Sequence, residues 1–157
     1  MEDRTMKIAI DCDDAAIPLK DIIHNHLKSR GLNITDLHHA EGRDVAYPDI
    51  GYNLAVKVRE KEFDRGILLC GTGLGMAIIA NKVEGVYAGV CHDVYSAERL
   101  RKSNNAQIIT MGARVIGPEL AKKIVDAWME SEFEGKGSLS KVEKIQLLEH
   151  KSFHKEV

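Results

Sequence analysis

The residues best suited to chemistry lie in the segment Cys70-Gly71-Thr72-Gly73-Leu74-Gly75, which directly follows an apolar run at residues 66–69. The apolar run predicts a buried strand, and the residues after the glycines predict a helix. A thiol is thereby placed in a glycine-rich loop at a helix N-terminus, where free backbone N–H groups favour negative charge. A thiolate in such a place can move a proton while the N–H groups hold an oxyanion.

Nucleotide-binding loops fit this segment poorly. Gly71, Gly73 and Gly75 alternate, a spacing that does not match a G-x-G-x-x-G fingerprint. The segment follows the third predicted strand rather than the first, and it lacks the Lys-Ser/Thr ending of a P-loop. A tight turn with positive φ would explain one glycine more easily than three. The spacing therefore favours a functional loop that holds an anion.

The composition indicates one ordinary globular domain. A length of 157 residues predicts a single domain spanning 1–157, and 24 acidic against 22 basic residues produce no field that would recruit nucleic acid or an anionic membrane. No apolar run approaches the roughly 20 residues of a membrane span, and no secretion signal opens the chain. Three cysteines without a C-x-x-C pair fit a reducing compartment, so we expect a cytoplasmic protein with a loose N-terminus at residues 1–5.

Strand and helix patterns alternate along the chain. Predicted strands cover residues 7–12, 33–37, 64–70, 86–91 and 107–111, and predicted helices cover residues 17–30, 48–58, 95–102, 118–130 and 139–149. Such alternation implies a parallel sheet covered on both faces, in which ligands bind beyond the carboxyl ends of the strands. In the helix at 118–130, the spacing predicts a buried side formed by Leu120, Ile124, Val125 and Trp128.

Several titratable residues lie at those strand ends. Asp13 and Asp14 follow the first strand; one is expected to cap the next helix, and the other could act on a substrate hydroxyl. His92 follows the fourth strand, where it is either a catalytic residue or a structural one. Arg114 lies in a strand-end loop, where arginine suits a phosphate. The histidines predict no set of zinc ligands, and His150 and His154 are expected to be exposed in a polar tail.

Six segments, residues 7–13, 47–48, 64–82, 95–99, 104–106 and 111–117, resemble the ribose-5-phosphate isomerase B and galactose-6-phosphate isomerase family of aldose–ketose isomerases. The block Cys-Gly-Thr-Gly-Leu-Gly with its trailing Ala-Asn-Lys carries most of the resemblance. It implies a three-layer α/β/α sandwich with a Rossmann-like five-stranded parallel sheet, and an enzyme without metal or cofactor. It also implies a homodimer or homotetramer with shared active sites, in which the C-terminal helix and tail at about 138–157 pack on the partner subunit.

The resemblance implies a role for each residue of the glycine loop. Cys70 would be the base that moves a proton between C1 and C2 of a phosphorylated sugar through a cis-enediolate. The backbone N–H groups of Gly71, Gly73 and Gly75 would hold the enediolate oxygen, with the hydroxyl of Thr72 assisting.

Other roles that the resemblance implies fall on residues outside the loop. Asp13 would bind sugar hydroxyls. The partner subunit would lend Asn104 for a hydroxyl and Arg114 for the phosphate.

The chain departs from the family pattern at its substrate-binding positions. Family members carry one histidine after the aspartate of the first strand and another before the Asn pair, where this chain has Asp14 and Ser103. In place of the later phosphate-binding arginines the chain has Lys136, within Gly-Lys-Gly-Ser, and Lys141. These lysines are point charges rather than guanidinium forks.

The change at Ser103 bears on the substrate. A tetrose 4-phosphate has its O4 esterified, cannot close a furanose ring and needs no acid to open one. The segment at 95–107 is also similar to family members assigned to erythrulose 4-phosphate isomerisation. His92 could instead open the ring of ribose 5-phosphate, so that both substrates stay open.

Two other classes of protein remain beside the isomerase. A non-catalytic sugar-phosphate-binding protein of the same fold is the alternative, because both family histidines and the later arginines are missing. The retained thiol of Cys70 argues against it, since a binding protein needs no thiol there. A dinucleotide oxidoreductase fits the glycine spacing least.

Overall fold

Parallel strands alternate with helices throughout residues 4–38 and 45–155, the part of the chain that the computed structural model describes. The elements are β1 (Lys7–Cys12), α1 (Ile17–Ser29), β2 (Asn33–Asp36), α2 (Tyr47–Arg59), β3 (Arg65–Cys70), α3 (Leu74–Ala80), β4 (Ala88–Val90), α4 (Val94–Lys102), β5 (Ile108–Gly112), α5 (Pro118–Glu130) and α6 (Leu139–Phe153). The predicted order of elements is confirmed. β4 is shorter than its predicted range, and the last helix continues beyond residue 149.

The strands form one sheet with the order β2-β1-β3-β5-β4, and every neighbouring pair is parallel. Right-handed crossovers place α2 and α3 on one face and α1, α4 and α5 on the other. The contacts of α2 with α3, and of α5 with α1 and α4, agree with this arrangement. The protein is therefore the three-layer α/β/α sandwich that the sequence predicts.

The topology opens a crevice at the carboxyl ends of the central strands. The chain leaves β3 towards the face that carries α3, whereas it leaves β1 and β5 towards the opposite face. Helices that diverge in this way leave a gap beyond the strand ends, which is where open parallel sheets bind ligands. Among the described strands, β1, β3 and β5 therefore border the expected site.

The central strand is buried along its whole length. All six residues of β3 are buried, and its Ile67, Leu68 and Leu69 have no exposed surface. A strand covered on both faces reads as a continuous apolar run rather than an alternating one. Because β3 is buried, its end is held in place, and so is Cys70, the residue that follows Leu69.

The helix α5 is held by a buried arginine at the start of β3. The Arg65 guanidinium lies 5.4 Å from the ring centre of Trp128 and donates hydrogen bonds to the carbonyl oxygens of Trp128 (3.1 Å) and Ser131 (3.0 Å). A helix cannot satisfy all of its own last acceptors, and Arg65 supplies a donor to the carbonyl oxygen of Ser131 and a second donor, besides the N–H of Ser131, to that of Trp128. The end of α5 is thus fixed at the amino edge of the sheet.

The prediction that Leu120 is buried was wrong. Ile124, Val125 and Trp128 are fully buried as predicted, but Leu120 is 40% exposed. Ala121 takes the buried position in the first turn of α5. Because successive residues are rotated by about 100° around a helix, Leu120 points away from the core.

Among the residues that the structure describes, no helix combines the length and the apolar character that crossing a bilayer would require.

Candidate active site

Cys70 is the last residue of β3 and lies at the crevice. Its side chain is largely buried, at 5% exposure, and its sulfur accepts a hydrogen bond from the backbone N–H of Gly73 at 3.1 Å. Backbone N–H donors are the groups that stabilise negative charge on a thiolate or on a neighbouring oxyanion. The sulfur of Cys70 therefore has a polar partner at the crevice and does not serve packing alone.

The other two cysteines have different surroundings. Burial raises the pKa of the Cys12 thiol to about 12 and that of the Cys91 thiol to about 11. Thiols of this kind stay protonated near neutral pH and are structural. The three cysteines are unpaired, and Cys70 is the one that the fold delivers to the glycine loop.

The glycine loop packs directly on the end of β5. Gly73 has a φ of +79°, and a Cβ atom there would lie 2.8 Å from the carbonyl carbon of Met111. A Cβ atom at Gly112 would lie 2.6 Å from the Cα atom of Thr72. Contacts this short exclude any side chain, so both glycines are required by the close approach of the two backbones.

Hydrogen bonds join the loop to the same strand end. The Thr110 hydroxyl donates to the carbonyl oxygen of Gly73 at 2.8 Å, and the N–H of Arg114 donates to the carbonyl oxygen of Gly71 at 3.0 Å. The hydroxyl of Thr72 accepts from the N–H of Leu74 at 3.3 Å. In this structure the N–H of Gly73 therefore serves the sulfur of Cys70, whereas the resemblance assigns it to an enediolate oxygen.

Tyr47 belongs to the site, although sequence reasoning missed it as a site residue. A Cβ atom at Gly75 would lie 2.4 Å from the Tyr47 ring, so the tyrosine occupies the space that Gly75 leaves free. The Tyr47 side chain is 42% exposed and forms a wall beside the loop. The sequence signal was the third alternating glycine, which indicated a close neighbour without identifying it.

Asp13 lies at the end of β1, beside the loop. Its N–H donates to the carbonyl oxygen of Leu69 at 3.2 Å, and its carboxylate accepts from the N–H of Ala15 at 3.1 Å. Asp13 is thus the capping residue of the pair, while Asp14 is exposed in the short 3-10 turn Asp14–Ala16. Burial raises the pKa of Asp13, and the nearby positive charge of Arg114 opposes that rise.

Arg114 lies over the glycine loop of its own chain. A Cβ atom at Gly71 would be 3.2 Å from a guanidinium nitrogen of Arg114. The resemblance implies that a partner subunit lends this arginine, whereas within one chain its guanidinium lies over its own loop. The exposed guanidinium interacts electrostatically with the carboxylate of Asp13, and within one chain both residues lie beside the loop that follows Cys70.

His92 joins the ends of β4 and β5. Its Nε2 atom accepts a hydrogen bond from the N–H of Gly112 at 2.9 Å. Because an acceptor nitrogen carries no proton, this bond requires the neutral ring with its proton on Nδ1. Gly112 pairs with Cys70 across the sheet, so the histidine is close to the loop but engaged by the backbone.

Ser103 and Asn104 lie at the opposite edge of the sheet. They follow α4, which starts after the carboxyl end of β4 and runs back towards the amino edge over nine residues, about 13 Å of helix. Asn104 lines a cavity of about 210 Å³ together with Ala88, the first residue of β4. Neither residue reaches the thiol of its own chain.

Lys136 and Lys141 also lie towards that edge. They follow the end of α5, which Arg65 fixes beside the start of β3. Within one chain the fold therefore brings together the predicted residues of the glycine loop, Asp13, Asp14, His92 and Arg114. It does not bring the two lysines, Ser103 or Asn104 to them.

Comparison with known proteins identifies the family to which the chain belongs. Residues 8–145 match the family described as Ribose/Galactose Isomerase. The chain is 55% identical over 150 residues to D-erythrulose-4-phosphate isomerase of Pectobacterium atrosepticum, covering 95% of this chain and 99% of that protein. It is 48% identical over 147 residues to ribose-5-P isomerase B of Listeria innocua, covering 94% and 99%.

A solved structure shows the same fold. The structure of ribose-5-phosphate isomerase B from Clostridium thermocellum superposes with a TM-score of 0.89 at 44% identity, covering 94% of this chain and 99% of that chain. The fold described above is therefore shared with this ribose-5-phosphate isomerase B.

Replacement of Gly73 by alanine should destabilise the protein by about 1–3 kcal/mol, because a positive φ and overpacking against Met111 act together. Chemical denaturation measures the free energy of unfolding. Gly137→Ala is the matched control, since a Cβ atom there meets nothing within 4 Å. Equal stability of the two variants would show that the loop does not pack on β5 as described.

Proposed function

Because the chain belongs to the ribose/galactose isomerase family, we propose that it is a cofactor-independent aldose–ketose isomerase of a phosphorylated sugar. The observation that carries this proposal is the sulfur of Cys70, 3.1 Å from the N–H of Gly73, with Asp13 and Arg114 beside the loop that follows it. A base, oxyanion donors, a carboxylate and a guanidinium are the groups that proton transfer in a sugar phosphate requires.

The reaction transfers one proton between neighbouring carbon atoms. The thiolate of Cys70 removes a proton from C1 of the ketose; the electron pair forms the C1–C2 double bond, and the C2 oxygen takes the negative charge. Loop N–H groups stabilise this cis-enediolate as the charge develops. The thiol then returns the proton to C2 while a proton moves from O1 to O2, which yields the aldose and restores the thiolate.

Asp13 and Arg114 orient the substrate around that step. The carboxylate of Asp13 accepts hydrogen bonds from sugar hydroxyls, and the guanidinium of Arg114 offers a planar fork to an oxyanion or a phosphate. The positive charge of Arg114 also stabilises negative charge that develops near Cys70, because its guanidinium lies over Gly71 at the open end of the loop.

The complete site is shared by two copies of the chain. Asn104, Lys136 and Lys141 lie at the edge of the sheet opposite Cys70, so they can bind a substrate only in the site of another copy. Exposed apolar side chains beside the loop, Leu74 (57%) and Ile78 (62%) on α3, offer a surface for that contact. We therefore assign the protein as a homodimer or a homotetramer.

The substrate that fits best is a tetrulose 4-phosphate, interconverted with the corresponding tetrose 4-phosphate. Ser103 takes the place of a ring-opening histidine, and the Nε2 atom of His92 is engaged by the N–H of Gly112. A sugar that cannot close a furanose ring needs neither group. The similarity to D-erythrulose-4-phosphate isomerase of Pectobacterium atrosepticum supports this choice, and ribose 5-phosphate is the second candidate.

A cytoplasmic location agrees with this chemistry. Cys12, Cys70 and Cys91 are unpaired thiols, and a base that acts as a thiolate requires a compartment in which it stays reduced.

A non-catalytic sugar-phosphate-binding protein is the other candidate function. The observation in its favour is the exchange of phosphate-binding arginines for Lys136 and Lys141 and of a histidine for Ser103. The hydrogen bond from Gly73 to the sulfur of Cys70 favours the enzyme, because binding alone does not require a thiol with its own donor.

Replacement of Cys70 by alanine should reduce kcat by about 10³-fold or more, with a small change in KM, since a general base contributes about 10²–10⁴-fold. The variant should also stop incorporating solvent deuterium at the carbon next to the carbonyl, as measured by NMR on erythrulose 4-phosphate. The matched control is Cys91→Ala, which removes a buried thiol away from the loop. Unchanged exchange in Cys70→Ala would reject this residue as the base, and tight binding without turnover by the wild type would identify a binding protein.

A mixture of two inactive variants should regain activity if two copies share each site. In a shared site, Cys70→Ala removes a residue that one subunit contributes, and Asn104→Ala removes a residue that the other subunit contributes. A hybrid dimer therefore contains one intact site. After subunit exchange of equal amounts, about one quarter of the wild-type activity is expected for a dimer. The assay is isomerase activity before and after mixing, with Cys70→Ala plus Cys70→Ser as the control pair. No recovery in exchanged hybrids would place each whole site in one chain.

The specificity constant kcat/KM should be at least about tenfold higher for erythrulose 4-phosphate than for ribose 5-phosphate, because the chain lacks the ring-opening histidine. Ser103→His should raise the value for ribose 5-phosphate and leave that for the tetrulose largely unchanged. Ser29→His, at the exposed end of α1, is the control. Equal or faster turnover of ribose 5-phosphate by the wild type would contradict the tetrose assignment.

A further inference from the structure

A second group of titratable side chains lies at the edge of the sheet opposite Cys70. Glu84 is in the turn before β4, His150 lies in the last turn of α6, and His154 is the residue that directly follows this helix. One ligand atom from each side chain lies within 4.8 Å of the others. The sequence showed only the histidine pair, because Glu84 is far from it along the chain.

The polar atoms of this cluster lie close to one another. The Nε2 atom of His154 lies 2.9 Å from both carboxylate oxygens of Glu84, and the Nδ1 atom of His150 lies 3.5 Å from one of them. The two imidazole rings stack with their centres 4.3 Å apart. Ligands at about 2.1 Å from a tetrahedral metal are about 3.4 Å from each other, so the three side chains would rotate apart slightly on binding until each presents one ligand atom to the ion.

The backbone around the cluster is already in place. The N–H of His154 donates to the carbonyl oxygen of His150 at 2.9 Å, which holds the residue after α6 against the last turn of the helix. The carboxylate of Glu149 accepts a hydrogen bond from the N–H of Gly85, so the turn that carries Glu84 is held against α6. Gly85 has a φ of +84°, a conformation that allows this tight turn.

We propose that Glu84, His150 and His154 form a binding site for one divalent transition-metal ion, with Zn²⁺ as its preferred occupant. Two imidazole nitrogens and one carboxylate oxygen suit zinc in both softness and number, and water completes the coordination. The histidine side chains are 67% and 56% exposed, so an ion can enter from solvent. The site is separate from the proton-transfer chemistry, which takes place at the other edge.

The ion would attach α6 to the body of the protein. Within α6, whose residues are all described, Val142 is the single buried residue. A helix with so little buried surface gains most from an added link, because ligand binding to the folded state alone stabilises that state. The same three side chains also pair without a metal, since the hydrogen bond from His154 lowers the pKa of Glu84. The competing interpretation is therefore that these side chains form an ion pair and bind no metal.

Titration of the full-length protein with Zn²⁺, followed by calorimetry and by thermal unfolding, tests this site. We expect one ion per chain and a higher Tm at saturation. His154→Ala and Glu84→Gln should each weaken the affinity by at least about tenfold. His24→Ala, which removes a histidine from α1, is the matched control and should bind as the wild type does.

The thiol of Cys70 is the main competing ligand, because thiolates bind zinc strongly. The titration is therefore repeated with Cys70→Ala, in which the stoichiometry and the affinity should be unchanged. With Co²⁺ as a second probe, absorption bands should indicate nitrogen and oxygen ligands without sulfur. Loss of binding in Cys70→Ala, equal binding by His154→Ala and the wild type, or no saturable binding by the wild type would each overturn the proposal.

Discussion

The rest of the site depends on the close approach of the glycine loop to the end of β5. The backbones of Gly73 and Gly112 come so near to Met111 and Thr72 that neither position can carry a side chain. This contact turns the chain sharply after β3 and directs the N–H of Gly73 at the sulfur of Cys70. A buried strand fixes one end of the loop and the neighbouring strand fixes the other, so the thiol and its donor are positioned before any substrate arrives.

The parallel sheet divides the functional groups between its two edges. Every strand points the same way, so the loops after β1, β3 and β5 meet at the carboxyl edge with Asp13, Cys70 and Arg114. Each helix that connects two parallel strands must run back to the amino edge, so the residues at its C-terminal end lie at that edge. Asn104 is separated from the thiol for this reason, so the proposed site requires a second copy of the chain.

Reaction type and substrate choice depend on different parts of this arrangement. In the proposed mechanism the proton transfer uses Cys70 and the loop, whereas the length and ring form of the sugar concern positions such as Ser103. The hydrogen bond from the N–H of Gly112 to His92 bears on both the loop and the choice of sugar. It occupies a ring nitrogen of the one histidine near the loop among the described residues. Under the proposed function, the sugar can therefore differ while the proton-transfer chemistry stays the same.

Local patterns in the sequence determined the order of strands and helices, the buried run before Cys70 and the glycine loop. Each of these depends on neighbours along the chain, through apolar periodicity or through the φ angles that glycine allows. The prediction for Leu120 was wrong because Ala121, rather than Leu120, packs against the core in the first turn of α5. Only the tertiary structure decided that Arg114 covers its own loop and that Glu84 meets His154, because such contacts join residues whose separation in sequence says nothing about their distance in space.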